Sequence, residues 1–189
     1  MTFTATGLCS RALVKLGANS ISSFEEETTE AHIAEQLYDT TLNALLASYP
    51  WRFALSQTSL SRLATSPGTD YKYAYVVPKD CVRILSAGTS TRSSGLSYRL
   101  YQNQLHCNQE NVVLTYIARP DESAFPPFFT QALICRLAAE FCLPLTESTT
   151  RTDYLRKIAE EELKTARLID SQQIIPRAFQ DFSLIEVRS

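Results

Sequence analysis

Histidine, methionine, tryptophan and glycine are scarce in this chain, with two, one, one and five copies among 189 residues. Two histidines and no Cys-x-x-Cys pair do not supply the three or four converging ligands of a zinc site, so no metal and no other cofactor is expected. The few glycines form no Gly-x-Gly-x-x-Gly fingerprint, no Gly-x-x-x-x-Gly-Lys-Ser/Thr loop and no Gly-x-Ser-x-Gly elbow. The usual signatures of dinucleotide, nucleoside triphosphate and serine-hydrolase chemistry are therefore missing. No stretch approaches about 18 consecutive apolar residues, and the first residues lack a basic start followed by an apolar core. No membrane insertion is expected, and folding in the cytoplasm is the default.

What is present suits a globular domain. Hydrophobic residues make up 44% and charged residues 20%, with a formal charge of -2. That balance argues against a dedicated nucleic-acid binder, although it leaves room for a local basic face. Five widely spaced cysteines, Cys9, Cys81, Cys107, Cys135 and Cys142, read as inert thiols; Cys135 and Cys142 share one face of an apolar helix.

Ala5, Leu8, Cys9, Ala12, Leu13 and Leu16 recur at helical spacing, with Gly17 placed to end the helix in left-handed geometry. Glu25, Glu26 and Glu27 lie before or within the first turn of a second helix, whose positive end they complement. Its stripe is Ala34, Leu37, Tyr38, Thr41, Leu42 and Leu45, and Pro50 should stop it near Ser48. The lone tryptophan follows at once, in Tyr49-Pro50-Trp51-Arg52-Phe53-Ala54. Trp51 and Phe53, with Arg52 between them, are candidate structural or partner-contact residues, core packing being the leading reading.

From Trp51 to Ile117 the period shortens to that of strands. Trp51, Phe53 and Leu55, then Tyr71, Tyr73, Tyr75 and Val77, alternate, and Val82, Ile84, Leu85, Tyr98 to Tyr101, Leu105 to Cys107 and Val112 to Ile117 follow. The intervals are too short for parallel crossovers, so the pairing should be antiparallel, with a Ser/Thr/Gly tip at Ala87 to Ser97. Helical period returns after Phe125-Pro126-Pro127. Phe129, Ala132, Leu133, Ile134, Leu137, Ala138 and Phe141 are apolar around most of the circumference, as in a central helix that Pro144 ends. Thr149 or Thr150 is expected to cap a fourth helix striped by Leu155, Ile158, Ala159, Leu163, Ala166 and Ile169.

The expected fold is α+β: a mainly helical four-helix bundle with a small antiparallel β insert and an extended C-terminal arm. Residues 1–50 hold the first two helices, 51–120 the β lobe, 121–171 the last two helices and 172–189 the arm. The arm carries Ile174, Ile175, Phe179, Phe182, Leu184, Ile185 and Val187 without a helical face, and Pro176 interrupts it. Such apolar groups need a docking surface, on a neighbouring subunit, on another protein or on the domain itself.

Candidate chemistry is thin. His32, among Glu30 and Glu35, reads as a solvated helix residue. His106 and Cys107 are adjacent on a strand and so point to opposite faces, which weakens a nucleophile pair. Glu26, Glu30, Glu140 and Glu147 could on paper supply the two carboxylates of a peptidoglycan hydrolase, but Glu140 has a simpler partner in Arg136 at i,i+4. Arg52, Arg62, Lys72, Lys79, Arg83, Arg92, Arg99 and Arg119 are scattered through the β lobe, interrupted by Asp70, Asp80 and Glu110, and form no continuous stripe.

One resemblance runs through nearly the whole chain in order. Leu8-Cys9-Ser10-Arg11-Ala12-Leu13, Leu16-Gly17-Ala18, Ile21-Ser22-Ser23-Phe24 and Tyr49-Pro50-Trp51-Arg52-Phe53-Ala54 carry its first third. Tyr73-Ala74-Tyr75-Val76-Val77-Pro78-Lys79-Asp80-Cys81-Val82-Arg83, Tyr116-Ile117-Ala118-Arg119 and the helix from Ala132 to Pro144 continue it. This pattern resembles the tail tubular protein A-like head-to-tail adaptors of short-tailed bacteriophages and related prophages. The resemblance implies a non-enzymatic virion protein at the head-to-tail junction, assembled in the host cytoplasm. It would form a twelve-copy ring, contact the portal protein above and the tail nozzle protein below, and let double-stranded DNA pass. Gly88 to Tyr98 and the extreme C-terminus depart most from the pattern, leaving the partner surfaces open. The alternatives are a peptidoglycan-degrading virion hydrolase and a binding module unrelated to virions.

Overall fold

The computed structural model describes residues 3–68, 70–91 and 95–173. Helix α1 (Ala5–Leu16) starts where Thr4 turns extended and its hydroxyl accepts the Gly7 N–H at 3.1 Å. It ends at Gly17, whose φ of 69° lets Ala18 N–H reach back to the Leu13 carbonyl, a closure that favours glycine because no Cβ meets the backbone. Helix α2 (Thr29–Ala47) is capped by Thr28, and Ser48 closes it as its sequence predicts. Glu26 behaves differently from expectation. Its carboxylate accepts from Ser22 N, Ser22 Oγ and Ser23 N, so it organises the connector instead of facing the helix end. Those hydrogen bonds, the Ser22 hydroxyl first, hold its pKa below the ordinary carboxylate range.

Helix α3 (Pro127–Thr146) begins with a proline at its first position, where the missing N–H would have no helical partner anyway. Pro144 does not end it. The proline sits in the last turn, where its ring removes a single bond to Glu140, and the helix continues to Thr146. Glu147 then closes it in left-handed geometry (φ 51°), with its N–H on the Leu143 carbonyl. Helix α4 (Thr149–Gln172) is capped by Ser148, one residue before the expected threonines, through a hydroxyl accepting the Arg151 N–H at 3.3 Å.

Helix α3 is the centre: α1, α2 and α4 all pack against it. It alone among the described helices has the length and hydropathy of a membrane span, but 61% of its most apolar stretch is buried inside the protein. That burial, with the Arg136–Glu140 ion pair at 2.8 Å, is the condition of a core helix.

Six strands, β1 (Leu55–Ser59), β2 (Tyr73–Val76), β3 (Cys81–Gly88), β4 (Arg99–Tyr101), β5 (Gln104–Cys107) and β6 (Val113–Ala118), form two three-stranded sheets. Their orders are β1-β6-β3 and β2-β5-β4, and every pairing is antiparallel. The sheets enclose a second core of Tyr75, Val77, Leu105, Cys107, Leu114 and Tyr116. The stretch Trp51 to Leu55, expected to alternate as a strand, instead contains a single 3-10 turn, Arg52–Ala54, before β1 begins. Strand β3 breaks simple alternation too. Register shifts between Cys81 and Arg83 and between Ile84 and Ser86 turn Val82 and Leu85 toward the helical core, while Cys81, Ile84 and Ala87 join the lobe core. The first sheet is thus a wall shared by both cores, in a mixed α+β protein of four helices and two small sheets among its described residues.

Candidate assembly surface at the helix–lobe junction

Trp51 is fully buried where α2, α3, α4 and the first sheet meet. Its ring lies edge-on to Phe129 at 5.1 Å and to Tyr49 at 5.0 Å. Phe53 is half-buried and packs at a tilt on Phe129, 4.7 Å between centroids, and Phe129 also meets Phe125. The indole N–H donates at 3.0 Å to the Leu45 carbonyl, which also accepts the Ser48 N–H and hydroxyl at the end of α2. Proline at position 50 stops the helix, and the tryptophan then joins Ser48 in donating to the end it creates.

Arg52 points to solvent, but its backbone N–H is the donor left open at the start of the 3-10 turn. Asp170, from the last turns of α4, accepts it with both oxygens at 3.2 and 3.3 Å. The Asp170 side chain is fully buried, and burial pushes its pKa up against the pull of the Arg52 N–H and the Arg52 charge. Ile169 falls on the expected stripe of α4, but the structure leaves it 38% exposed and buries Asp170 instead. The buried positions Ala159, Ala166 and Asp170, with Leu163 between, run at 4, 3 and 4 residue steps, so the spacing itself marked the aspartate as core-facing.

Polar contacts fasten the lobe to α2. Arg83 on β3 donates to the Ala47 carbonyl at 2.9 Å, in the last turn of α2 where cations are favoured. Arg119, just after β6, pairs with Asp39 at 2.6 Å, and Tyr38 donates to Glu122 at 3.0 Å. Burial first, and Glu122 second, raise the Tyr38 pKa. Arg83, Arg119 and Tyr38 stand out in the sequence but their pairings do not, because each pair joins positions more than thirty residues apart.

The other singled-out residues fall into ordinary surroundings. His32 is exposed beside Gln36, whose Nε2 lies 3.0 Å from its ring nitrogen. His106 is buried, 3.2 Å from Gln104 Oε1 and 4.9 Å from the Tyr101 ring. All five thiols are free; four are buried, and burial with Asp39 pushes Cys9 up to about 12. Glu30 accepts from Asn19, and Glu140 is held by Arg136 as its spacing predicts. Among the described residues no cluster of three His, Cys, Asp or Glu could hold a metal ion. Arg62 covers the Tyr73 ring at 5.0 Å, while Arg83 and Arg119 are committed to α2. Ile174, Ile175, Phe179, Phe182, Leu184 and Ile185 of the expected arm, and Arg92 of the lobe, lie outside the described residues.

Between α2 and α4 runs a groove floored by α3. Ile33, Leu37 and Leu143 line one half, of about 320 Å³, and Thr40, Ala44 and Leu163 the other, of about 330 Å³. Leu37 and Glu140 belong to both halves, so the two are continuous. The groove holds one carboxylate, and the polar cleft lined by Asn43, Lys79 and Arg119 also holds one, Asp80. Neither assembles the facing pair of acids that glycoside hydrolysis requires.

No protein-family model matches the chain, and no curated protein matches it in sequence.

Proposed function

We propose that the chain is a structural virion adaptor. In this reading copies assemble, as twelve, into a ring at the head-to-tail junction that joins the portal protein to the tail nozzle protein and conducts double-stranded DNA. It works without a catalytic step or cofactor. The observation that carries the reading is the ordered motif run from Leu8 to Pro144. Its Tyr49 to Ala54 and Tyr73 to Arg83 portions contribute to the locked joint between helices and lobe. A ring subunit must offer two unlike side faces in a fixed relation, since a heterologous contact closes only at one angle. The four helices, taken as a bundle around α3, supply a stiff body, and the lobe, anchored through Trp51, Asp170, Arg83 and Arg119, supplies a second face that cannot swing freely. The modest net charge of -2 suits a channel that should not retain passing phosphates. Exposed apolar groups on several faces, Val14 on α1, Leu100 on β4 and Leu168 on α4, are suited to contacts between subunits.

The test is mass measurement and particle imaging of the chain alone and mixed with its portal protein. Rings of defined copy number on the portal are expected, with or without rings of the isolated chain. A chain that stays monomeric in both samples would remove the adaptor reading.

A further inference from the structure

We propose that the groove between α2 and α4 is the seat of the chain's own C-terminal segment, residues 177–187, folded back along the helices in the isolated protein. The inference does not rest on the adaptor reading. The groove is apolar along Ile33, Leu37, Ala44 and Leu163, and nothing in the described residues fills it. From Ile33 to Ser48 it follows α2 for roughly 22 Å at 1.5 Å per residue.

Helix α4 delivers the segment to one end of that groove. Arg167 Nη2 donates to Ser48 Oγ at 3.1 Å and Asp170 receives the Arg52 N–H, so the last turns of α4 lie beside the end of α2. The helix stops at Gln172, and Pro176 forbids its simple continuation. Sixteen residues remain after Gln173. Eleven of them, 177–187, reach roughly 36 Å when extended, more than the groove needs after a reversal at 174–176. Their apolar members, Phe179, Phe182, Leu184, Ile185 and Val187, are the right chemistry for the groove, and Asp181 and Glu186 match Arg156 on its rim, which has no ion-pair partner among the described residues. Tethering favours the chain's own segment over that of a second copy, because a short linker holds it at an effective concentration on the order of millimolar.

The experiment uses the full chain at low micromolar concentration in a Cys81→Ser background, which removes the least buried native thiol. Ala44→Cys, at an exposed groove position, is paired in turn with Phe179→Cys, Phe182→Cys and Leu184→Cys. Val14→Cys, on the exposed side of α1, serves as the control partner. Under mild oxidation at least one of the three groove pairs should close within one chain about tenfold faster than its Val14 counterpart, as peptide mapping reads directly. Separately, Ala44→Glu should speed hydrogen exchange of residues 177–187 while leaving α3 unchanged. Links that form mainly between chains would assign the groove to a second copy and overturn the proposal. Equal rates with Val14, no link at any of the three positions, or exchange unaffected by Ala44→Glu would overturn it as well. None of these outcomes bears on whether rings form on the portal.

Discussion

Asp170 is a carboxylate kept out of water with, among the described residues, one backbone N–H as its hydrogen-bond donor. Because burial raises its pKa in the folded chain, the folded state holds more protons than the unfolded one between the ordinary aspartate range and the raised value. Stability must therefore fall as pH rises through that window. Asp170→Asn keeps an oxygen for the Arg52 N–H and carries no charge to desolvate. It should be more stable than the native chain at neutral pH and lose the pH dependence in that window, in denaturant unfolding run from acid to neutral pH. Asp170→Ala leaves the N–H buried and unpaired, at a cost of about 1–3 kcal/mol, and should rank last of the three. An asparagine variant less stable than the native chain would show that burying its two unpaired amide N–H donors costs more than desolvating the carboxylate. Trp51 presents the complementary case of a large apolar group with one satisfied polar atom. Trp51→Ala should lower unfolding free energy by about 3–5 kcal/mol through lost transfer energy and a cavity. Unchanged denaturant stability would contradict its place in the core.

At the scale of elements, the helices were legible from their apolar stripes and from the stops at Gly17 and Ser48, while Pro144 and the expected Thr149 or Thr150 cap missed the ends of α3 and α4 by a few residues. Gly17 ends α1 as expected, the caps Thr4 and Thr28 emerge only in the structure, and α3 is apolar all round because helices cover it on several sides. The strands were legible as antiparallel runs, but the bulged β3 was not, since a register shift leaves no mark in composition. The 3-10 turn at Arg52–Ala54 was hidden for a related reason: three apolar residues at alternate positions read as a strand, yet tertiary packing on Phe129 and Asp170 sets a tighter backbone there. At the candidate site, Trp51 and Phe53 were visible as aromatics beside a proline. The pairings of Asp170, Arg83 and Arg119 were not, because their partners are distant in sequence. Pro144 shows how position overrides residue type. A proline in the last turn loses one hydrogen bond and crowds the Glu140 carbonyl with its ring, so Pro144→Ala, at an exposed position, should restore a bond to Glu140 and relieve that contact. After allowance for the looser unfolded chain it should stabilise by on the order of 1–2 kcal/mol in thermal or urea unfolding. Destabilisation would indicate that the proline ring packs usefully at the mouth of the groove.

At the scale of the molecule, the shared wall of β1, β6 and β3 makes the two cores mechanically one. Val82, Leu85 and Ile117 face the helices, and Leu114, Tyr116 and Ala87 face the lobe. Every described member of both clusters lies before Asp170, so the two cores are complete enough in residues 3–173 to be named without the C-terminal segment. Ending the chain after Gln173 should therefore keep a cooperative unfolding transition and the full helical signal, while the yield of rings on the portal falls. Fixing an apolar segment on a partner spends part of its interaction energy on ordering, yet a few such residues cover a long surface, so their loss should weaken assembly about tenfold or more without a matching loss of fold. Circular dichroism with denaturant unfolding checks the first half, and particle counts on portal-bound samples check the second. A truncated chain that unfolds would assign the segment to the fold itself. One that stays folded and assembles at the native yield would leave ring contacts to the helices and the lobe alone.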